Sequence, residues 1–290
     1  MTPHAALKPT FRFAPSPNGA LHLGHAYSAL LNHALAQKTL SDLIIRIEDI
    51  DTTRCTPALE AAMFHDLKWL GIEWQKPAMR QSEHFDVYQK ALEQLKQQGL
   101  IYPAFLSRGE IKKHASATHN WPQDPDGAPL YPGLEKYWSQ SKRTQTIAHA
   151  IENNAPFAWR LDMEKALSLF PMPGAEDWGD VVLARKDTPT SYHLAVVLDD
   201  AAQNISHIVR GLDLEAATPV HILLQRLLNL PTPAYFHHRL ITDDKGDKLS
   251  KSNKATGLKH LRDEGASLED ILKLISWNNT EVEELLSQFT

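Results

Sequence analysis

The chain opens on a short apolar strand pattern, Phe11-Arg12-Phe13, that runs into the turn-forming stretch Ala14-Pro15-Ser16-Pro17-Asn18-Gly19. Leu23, Ala26, Leu30 and Ala34 then recur at helical spacing, so the pattern predicts strand, Pro/Gly loop, helix. Leu43-Ile44-Ile45-Arg46-Ile47 is a nearly continuous apolar, β-branched run, as expected of a strand buried on both faces of a parallel sheet. Together these segments predict a βαβ unit. Thr56-Pro57 supplies a helix start, and Leu59, Met63, Leu67 and Leu70 form an apolar stripe that ends at Gly71. A second helix carries Phe85, Tyr88, Leu92 and Leu95 on one face and closes before Gly99.

From about Tyr102 to Lys186 the periodicity weakens, punctuated by Pro103, Pro122, Pro125, Pro129, Pro132, Pro156, Pro171 and Pro173. This predicts an inserted, loop-rich subdomain over 102–186. Strong apolar pattern returns with Val181-Val182-Leu183-Ala184-Arg185, then at 192–200, then at 205–211, followed by a helix from Thr218-Pro219 carrying Val220, Leu223, Leu224, Leu227 and Leu228. There the parallel sheet is expected to resume. The tail from about Leu258 is helical in character, with no second large core. The expected division is therefore a Rossmann-type α/β domain split into 1–101 and 187–240 around the insert, with a lysine-bearing loop and a short helical region over 241–290.

With 290 residues, 42% of them hydrophobic and 22% charged, the composition is that of a globular chain with a sizeable core. No apolar run reaches the roughly 18 residues of a membrane span, and the first ten residues lack a signal-peptide pattern. No membrane association, a cytoplasmic location and a monomeric state are the default expectations. The single cysteine, Cys55, supports neither an intrachain disulfide nor a cysteine-rich zinc site, and its expected use is packing. A net charge of -5 argues against a surface that coats nucleic acid non-specifically. Any RNA contact must be local; the candidate patches are Arg108 with Lys112 and Lys113, Lys136 with Lys142 and Arg143, and Lys245, Lys248, Lys251, Lys254, Lys259 and Arg262. For the first two, a solvated charged face is an equal reading.

Three motifs carry chemistry. His22-Leu23-Gly24-His25 opens a helix after a strand and a Pro-rich loop, where backbone amides and the helix dipole favour phosphate and imidazoles can donate to its oxygens. Gly24 allows a nucleotide close to the backbone. Lys248-Leu249-Ser250-Lys251-Ser252 lies more than two hundred residues downstream; two lysines on a loop suit a clamp that neutralises a triphosphate while pyrophosphate leaves. In Arg46-Ile47-Glu48-Asp49-Ile50-Asp51-Thr52-Thr53-Arg54 a strand ends in alternating acids, at the strand end where open α/β sheets bind ligands. Glu48 suits a substrate ammonium; for Asp49, Asp51 and Arg54 a structural network around a helix start is the competing reading.

The segments at 13–30, 46–54, 191–200, 207–214 and 248–252, in this order and spacing, resemble the glutamate branch of the class I aminoacyl-tRNA synthetases. The resemblance spans about Phe11 to Ser252, and only about 40 residues follow, so the long anticodon-binding region of the full-length members is expected to be absent. The chain is similar to the short branch of the family, which esterifies glutamate onto queuosine at the wobble position of tRNA(Asp). The resemblance implies an acceptor-binding-like insert over 102–186, a stem-contact role for the helical region within 241–290, and Arg12, Ser16, Glu48, Tyr192 and Arg210 as glutamate-binding residues. It implies His22, Gly24, His25 and Lys251 at ATP, His22, His25, Lys248 and Lys251 as catalytic groups, and ATP with Mg2+ as cosubstrate. The chemistry agrees: Arg12 and Arg210 suit a side-chain carboxylate, Tyr192 adds a hydroxyl, and Glu48 suits the α-ammonium.

One departure stands out. Members of the short branch often hold zinc in the insert through three cysteines and a tyrosine, yet here the four positions read Ala104, Leu106, Tyr131 and Glu135. A lone phenol does not build the site zinc prefers, so no bound zinc is expected, and the insert is expected to pack around Trp121, Tyr131, Trp138 and Trp159, stacking of these rings on RNA being the competing use. Three alternatives stay open at this stage: a truncated synthetase charging the 3' end of tRNA(Glu) or tRNA(Gln), another nucleotidyltransferase bearing the two-histidine motif, and a non-catalytic paralogue that binds glutamate or RNA.

Overall fold

A computed structural model describes residues 8–242 and 257–289, so Lys248 and Lys251 of the expected lysine clamp lie outside the described residues. In chain order the elements are β1 (Thr10–Phe13), α1 (Leu23–Lys38), β2 (Asp42–Ile47), α2 (Pro57–Trp69), β3 (Met79–Arg80), α3 (Phe85–Gln97), β4 (Ile101–Ala104), α4 (Arg108–Ser116) and α5 (Gln140–Glu152). They continue as β5 (Ala158–Leu161), α6 (Met163–Leu169), β6 (Val182–Arg185), α7 (Tyr192–Ala202), β7 (His207–Gly211), α8 (Thr218–Leu227), β8 (Ala234–His238), α9 (Leu258–Asp263), α10 (Leu268–Leu274) and α11 (Asn279–Leu286). Two compact units form from these elements.

The described residues of Met1–Glu83, Gln203–Glu215 and Pro233–Thr290 make the first unit. Here β1 pairs with β2 and β2 with β3 in parallel, and β7 pairs with β8 in parallel. Ser206, just before β7, joins the two sets: its amide donates to Thr10 O at 3.2 Å and its Oγ accepts from Thr10 N at 2.8 Å. This is the parallel α/β sheet that the βαβ pattern predicts. One face of it carries Phe11, Phe13, Leu43, Ile45, Ile47 and Val209 into the main core, with Leu31 and Leu35 of α1. The C-terminal helices join that same core through Leu258, Ile271, Val282 and Leu285. They are fastened by the buried Asp66, which accepts from Arg262, and by Arg239, which donates to Ile275 O at 2.7 Å and Ser276 O at 3.0 Å. Because strand side chains alternate, Arg12, Ile44, Arg46, Ile208 and Arg210 project from the opposite face.

The second unit, His84–Ala202 with Ala216–Thr232, departs from expectation in two places. Residues 182–185 do not resume the parallel sheet: β6 pairs antiparallel with β5, which pairs antiparallel with β4. Residues 192–202 form no strand either but the helix α7, with Leu194, Ala195, Val196, Val197, Asp199 and Asp200 all buried. A short apolar run without amphipathic relief reads alike for a buried strand and a helix buried on several sides. The insert is also more ordered than its prolines imply. Pro103 sits within β4, opposite Trp159; β4 is an edge strand of the sheet β4-β5-β6, where a missing N–H costs no ladder bond. In this unit α3, α6, α7 and α8 share one core built from Leu92, Leu95, Met163, Leu194, Val197, Val220 and Leu224, with Tyr88 donating to buried Asp199 at 2.8 Å.

Candidate active site

The turn between β1 and α1 is organised by its two histidines. His22 is the N-cap of α1, and its Nδ1 accepts the Gly24 amide at 3.1 Å. His25 reaches back in the same way, its Nδ1 accepting the His22 amide at 3.2 Å. This is the reciprocal arrangement of a capping box, built here from two imidazoles whose centroids lie 3.9 Å apart. An imidazole that accepts at Nδ1 carries its hydrogen at Nε2 when neutral, so the caps fix the tautomer of both rings. Gly24 is required for closeness: a Cβ there would stand 3.1 Å from the His22 ring, so the glycine admits the capping imidazole itself. The same turn receives the chain where it re-enters the described residues, for Gly257 bridges antiparallel to His22 and Leu258 N donates to Leu21 O at 2.8 Å.

Beyond the end of β2, Glu48 is fixed by its amide, which donates to Pro15 O at 3.0 Å. Its carboxylate lies 3.3 Å from NH2 of Arg46, a guanidinium with no solvent exposure, while Glu48 keeps 13%. NH1 of Arg46 donates to Gln203 Oε1 at 2.9 Å. Arg46 heads the motif read in the sequence but carries no role there; its place on β2, two residues before Glu48, sets its guanidinium against the Glu48 carboxylate. The neighbouring acids are structural: Asp49 accepts from Ser82 N at 2.8 Å and Ser82 Oγ at 2.6 Å. Asp51 accepts from Thr53 Oγ1 and Arg54 Nε, both at 2.6 Å, and these bonds, that of Thr53 foremost, hold its carboxyl down at about 2. Cys55 Sγ lies 3.7 Å from Ser16 Oγ, so its packing is against a candidate glutamate-binding residue.

Arg12 on β1 and Arg210 on β7 are 5% and 4% exposed. Arg210 is held on three sides. Its Nε donates to His237 Nε2 at 3.3 Å, its NH2 donates to Leu214 O at 3.0 Å, and its guanidinium lies 5.1 Å from the Tyr235 ring centre. Burial first, and Arg210 second, push the His237 imidazole down to about 4, so it is neutral near pH 7 and accepts. The first unit thus brings Arg12, Ser16, Glu48, Arg210 and the His22–His25 pair into one sheet and its strand-end loops. Tyr192 belongs to the second unit, at the first turn of α7, where its ring meets those of His193 and His221 at 5.6 and 5.5 Å.

The four positions compared with a zinc site lie in the second unit. Ala104 and Leu106 offer no ligand atom. Tyr131 donates to Glu135 Oε1 at 2.7 Å, and the Phe105 amide donates to the same oxygen at 3.2 Å. The residues present do not fit zinc, and among the described residues no group of three or more His, Cys, Asp or Glu side chains is placed to hold a metal ion. The basic patch around Lys136 is also structural: Lys136 pairs with Asp180 at 2.8 Å, and Arg143 Nε donates to Glu135 O at 3.2 Å. No helix among the described residues is long and apolar enough to cross a membrane.

Residues 9–289 match the family model of the class I tRNA synthetases (E and Q), catalytic domain. The chain is 45% identical over 279 residues to the glutamyl-Q tRNA(Asp) synthetase of Rhodobacter capsulatus, covering 91% of this chain and 98% of that protein. It is 37% identical to the glutamyl-Q tRNA(Asp) synthetase of Symbiobacterium thermophilum, covering 90% and 83%. Among solved structures it resembles a glutamate tRNA ligase from Elizabethkingia meningosepticum in complex with its amino acid, with a TM-score of 0.73 at 24% identity. That match covers 93% of this chain and 60% of the ligase, and it establishes the fold.

Proposed function

Since the chain belongs to the class I tRNA synthetases of the glutamate and glutamine group, we propose that it is a ligase that activates glutamate with ATP and esterifies it to queuosine in tRNA(Asp). The observation that carries the reading is the near end-to-end match, at 45% identity, to a glutamyl-Q tRNA(Asp) synthetase. The geometry agrees with the activation half. Two buried arginines, Arg12 and Arg210, on one sheet face suit the side-chain carboxylate of glutamate, since a charge-assisted pair in a water-poor site is the strong kind. Glu48 receives the α-ammonium, Ser16 adds a hydroxyl beside it, and Tyr192 of the second unit is assigned to glutamate by the family resemblance.

An oxygen of the α-carboxylate then attacks the α-phosphorus of ATP, the bond to the β-phosphate oxygen breaks, and pyrophosphate leaves. His22 and His25 meet the developing phosphate charge with Nε2–H donors whose tautomer the helix caps have fixed, and Gly24 lies under the nucleotide. Lys248 and Lys251 are assigned to the departing pyrophosphate. Mg2+ enters with ATP as part of the substrate. In the second half a hydroxyl of the queuosine cyclopentene diol attacks the activated carbonyl, forming the ester and releasing AMP.

The test is transfer of radiolabelled glutamate, with ATP and Mg2+, to tRNA(Asp) with and without queuosine and to tRNA(Glu). Label confined to queuosine-containing tRNA(Asp), and persisting when the 3' end is blocked by periodate with the queuosine diol protected, is the expected result. Labelling of tRNA(Glu) at its 3' end makes the chain a short glutamate tRNA ligase instead. Absence of glutamate-dependent pyrophosphate exchange makes it a binding protein.

A further inference from the structure

Tyr192 and His193 are the first two residues of α7, and Ser191 just before them serves the helix start, its Oγ accepting from Leu194 N at 3.4 Å. His221 lies on the neighbouring α8. His193 Nδ1 and His221 Nε2 stand 3.1 Å apart, a hydrogen bond in which one imidazole donates and the other accepts. The Tyr192 ring meets both imidazoles edge-on, at 5.6 Å and 61° from His193 and at 5.5 Å and 67° from His221. Trp178 meets His193 in turn at 5.6 Å and 74°, and its own Nε1 donates to Ala216 O at 2.7 Å. All five residues belong to the second unit.

His221 is 0% exposed, on a helix whose Val220, Leu223, Leu224 and Leu227 are buried as well. Packing alone is served better by a leucine there, because a buried imidazole costs desolvation that only hydrogen bonds offset. The imidazole at 221 therefore has a use that an apolar side chain lacks. Its bond to His193 ties α8 to the first turn of α7, where the Tyr192 ring stands, and tilted edge contacts of this kind are the favoured arrangement of aromatic pairs. We infer that the His193–His221 pair positions the Tyr192 ring for glutamate, holding it in one orientation before the substrate arrives. Binding then does not have to order that side chain, and the affinity otherwise lost to ordering is retained. Both histidines act through Tyr192 and are positioning residues. The inference rests on the glutamate-activating reading above, in which Tyr192 is a substrate residue, and deepens it.

The experiment measures glutamate-dependent pyrophosphate exchange, over a glutamate series at saturating ATP and an ATP series at saturating glutamate. It compares the unaltered chain with His221→Leu, His221→Gln, Tyr192→Leu and the double variant Tyr192→Leu/His221→Leu. His221→Leu is expected to raise the KM for glutamate about five-fold, the effect of one side chain left to be ordered on binding, with kcat and the KM for ATP within about two-fold of the original. Glutamine at 221, whose amide stands near the place of Nε2 and keeps a bond to His193, is expected to recover most of the loss. In the Tyr192→Leu background the leucine at 221 is expected to add nothing to the glutamate KM, because the ring it guides is gone. An equal factor in both backgrounds, no recovery by glutamine, or an original KM in His221→Leu overturns the inference and leaves the proposed function standing. If His221→Leu loosens the fold by urea unfolding, His193→Leu, at a half-buried position, goes through the same cycle and decides. An original glutamate KM in Tyr192→Leu overturns the assignment of Tyr192 and the inference with it. An unaltered chain without exchange overturns the proposed function as well.

Discussion

Arg210 Nε donates to His237 Nε2 across 3.3 Å, between residues that are register partners on β7 and β8. The guanidinium assigned to the glutamate carboxylate is thus aimed by a ring that serves as an acceptor only while neutral. The His237 imidazole is pushed down from 6.5 to about 4, mainly by burial. Between about pH 4 and 6.5 the unfolded chain therefore binds the extra proton, and this residue makes stability rise with pH across that window and level off above it. Replacing it by leucine should flatten that part of a urea-unfolding profile. It should also raise the KM for glutamate by about five-fold, the value of a hydrogen bond of ~1 kcal/mol, while glutamine at 237, which retains an acceptor, should recover most of the affinity. A leucine variant with the original glutamate KM would show that Arg210 needs no such guide.

The imidazole of His22 has two tasks that substitution separates. Its Nδ1 caps α1, and its Nε2–H is assigned to phosphate. Asparagine retains a capping oxygen but has no donor in the place of Nε2, so His22→Asn should unfold within about 0.5 kcal/mol of the original chain. It should nevertheless lose ~100-fold or more in the rate of pyrophosphate exchange, the usual effect of deleting a donor to transition-state charge. His22→Ala should lose the same rate and a further ~1 kcal/mol of stability, because the cap goes too. Equal rates for asparagine and histidine would reduce the residue to a cap.

Much of this site is legible in the sequence because local chemistry decides it. The Pro/Gly turn, the apolar stripe of α1 and the buried run of β2 fix a βαβ unit, and the histidines fall at the helix start by position alone. What escapes is decided by distant partners. Residues 182–185 and 192–200 carry apolar runs that local pattern assigns equally well to either sheet type or to a buried helix, and their neighbours are β5 in one case and α3 and α8 in the other. Arg46 and His237 escape for a related reason. Each acts through another side chain, Arg46 through Glu48 and His237 through Arg210, and no motif marks a residue that aims its neighbour.

Arg46 is fully buried, with Glu48 and Gln203 as acceptors. A guanidinium without solvent is tolerable because of these oxygens, and removal of one partner from a buried pair costs ~3–5 kcal/mol. Glu48→Leu should therefore destabilise the chain by roughly that amount as well as abolish glutamate binding. Arg46→Met/Glu48→Leu together should be more stable than Glu48→Leu alone, although equally inactive, because the buried charge that lost its carboxylate partner is removed. Urea unfolding of the two variants settles the order; a double variant less stable than the single would mean that Arg46 is stabilised chiefly through other contacts.

In the insert, Glu135 Oε1 accepts from both the Tyr131 hydroxyl and the Phe105 amide, while the Tyr131 oxygen accepts from Leu106 N at 3.4 Å. Burial and the Glu135 carboxylate raise the Tyr131 phenol well above its usual range, so it remains a donor at any working pH. These bonds tie the same two segments, 104–106 and 131–135, that a metal ion would tie if cysteines stood at 104, 106 and 135. Glu135→Leu leaves a buried hydroxyl and a backbone amide without their acceptor, at ~1–3 kcal/mol each, and should lower the unfolding free energy by about 2 kcal/mol or more. Treatment of the unaltered chain with a chelator should leave its melting temperature in place, with far less than one zinc per chain by metal analysis. Stoichiometric zinc lost together with stability on chelation would overturn the hydrogen-bonded clamp as the element that holds these segments.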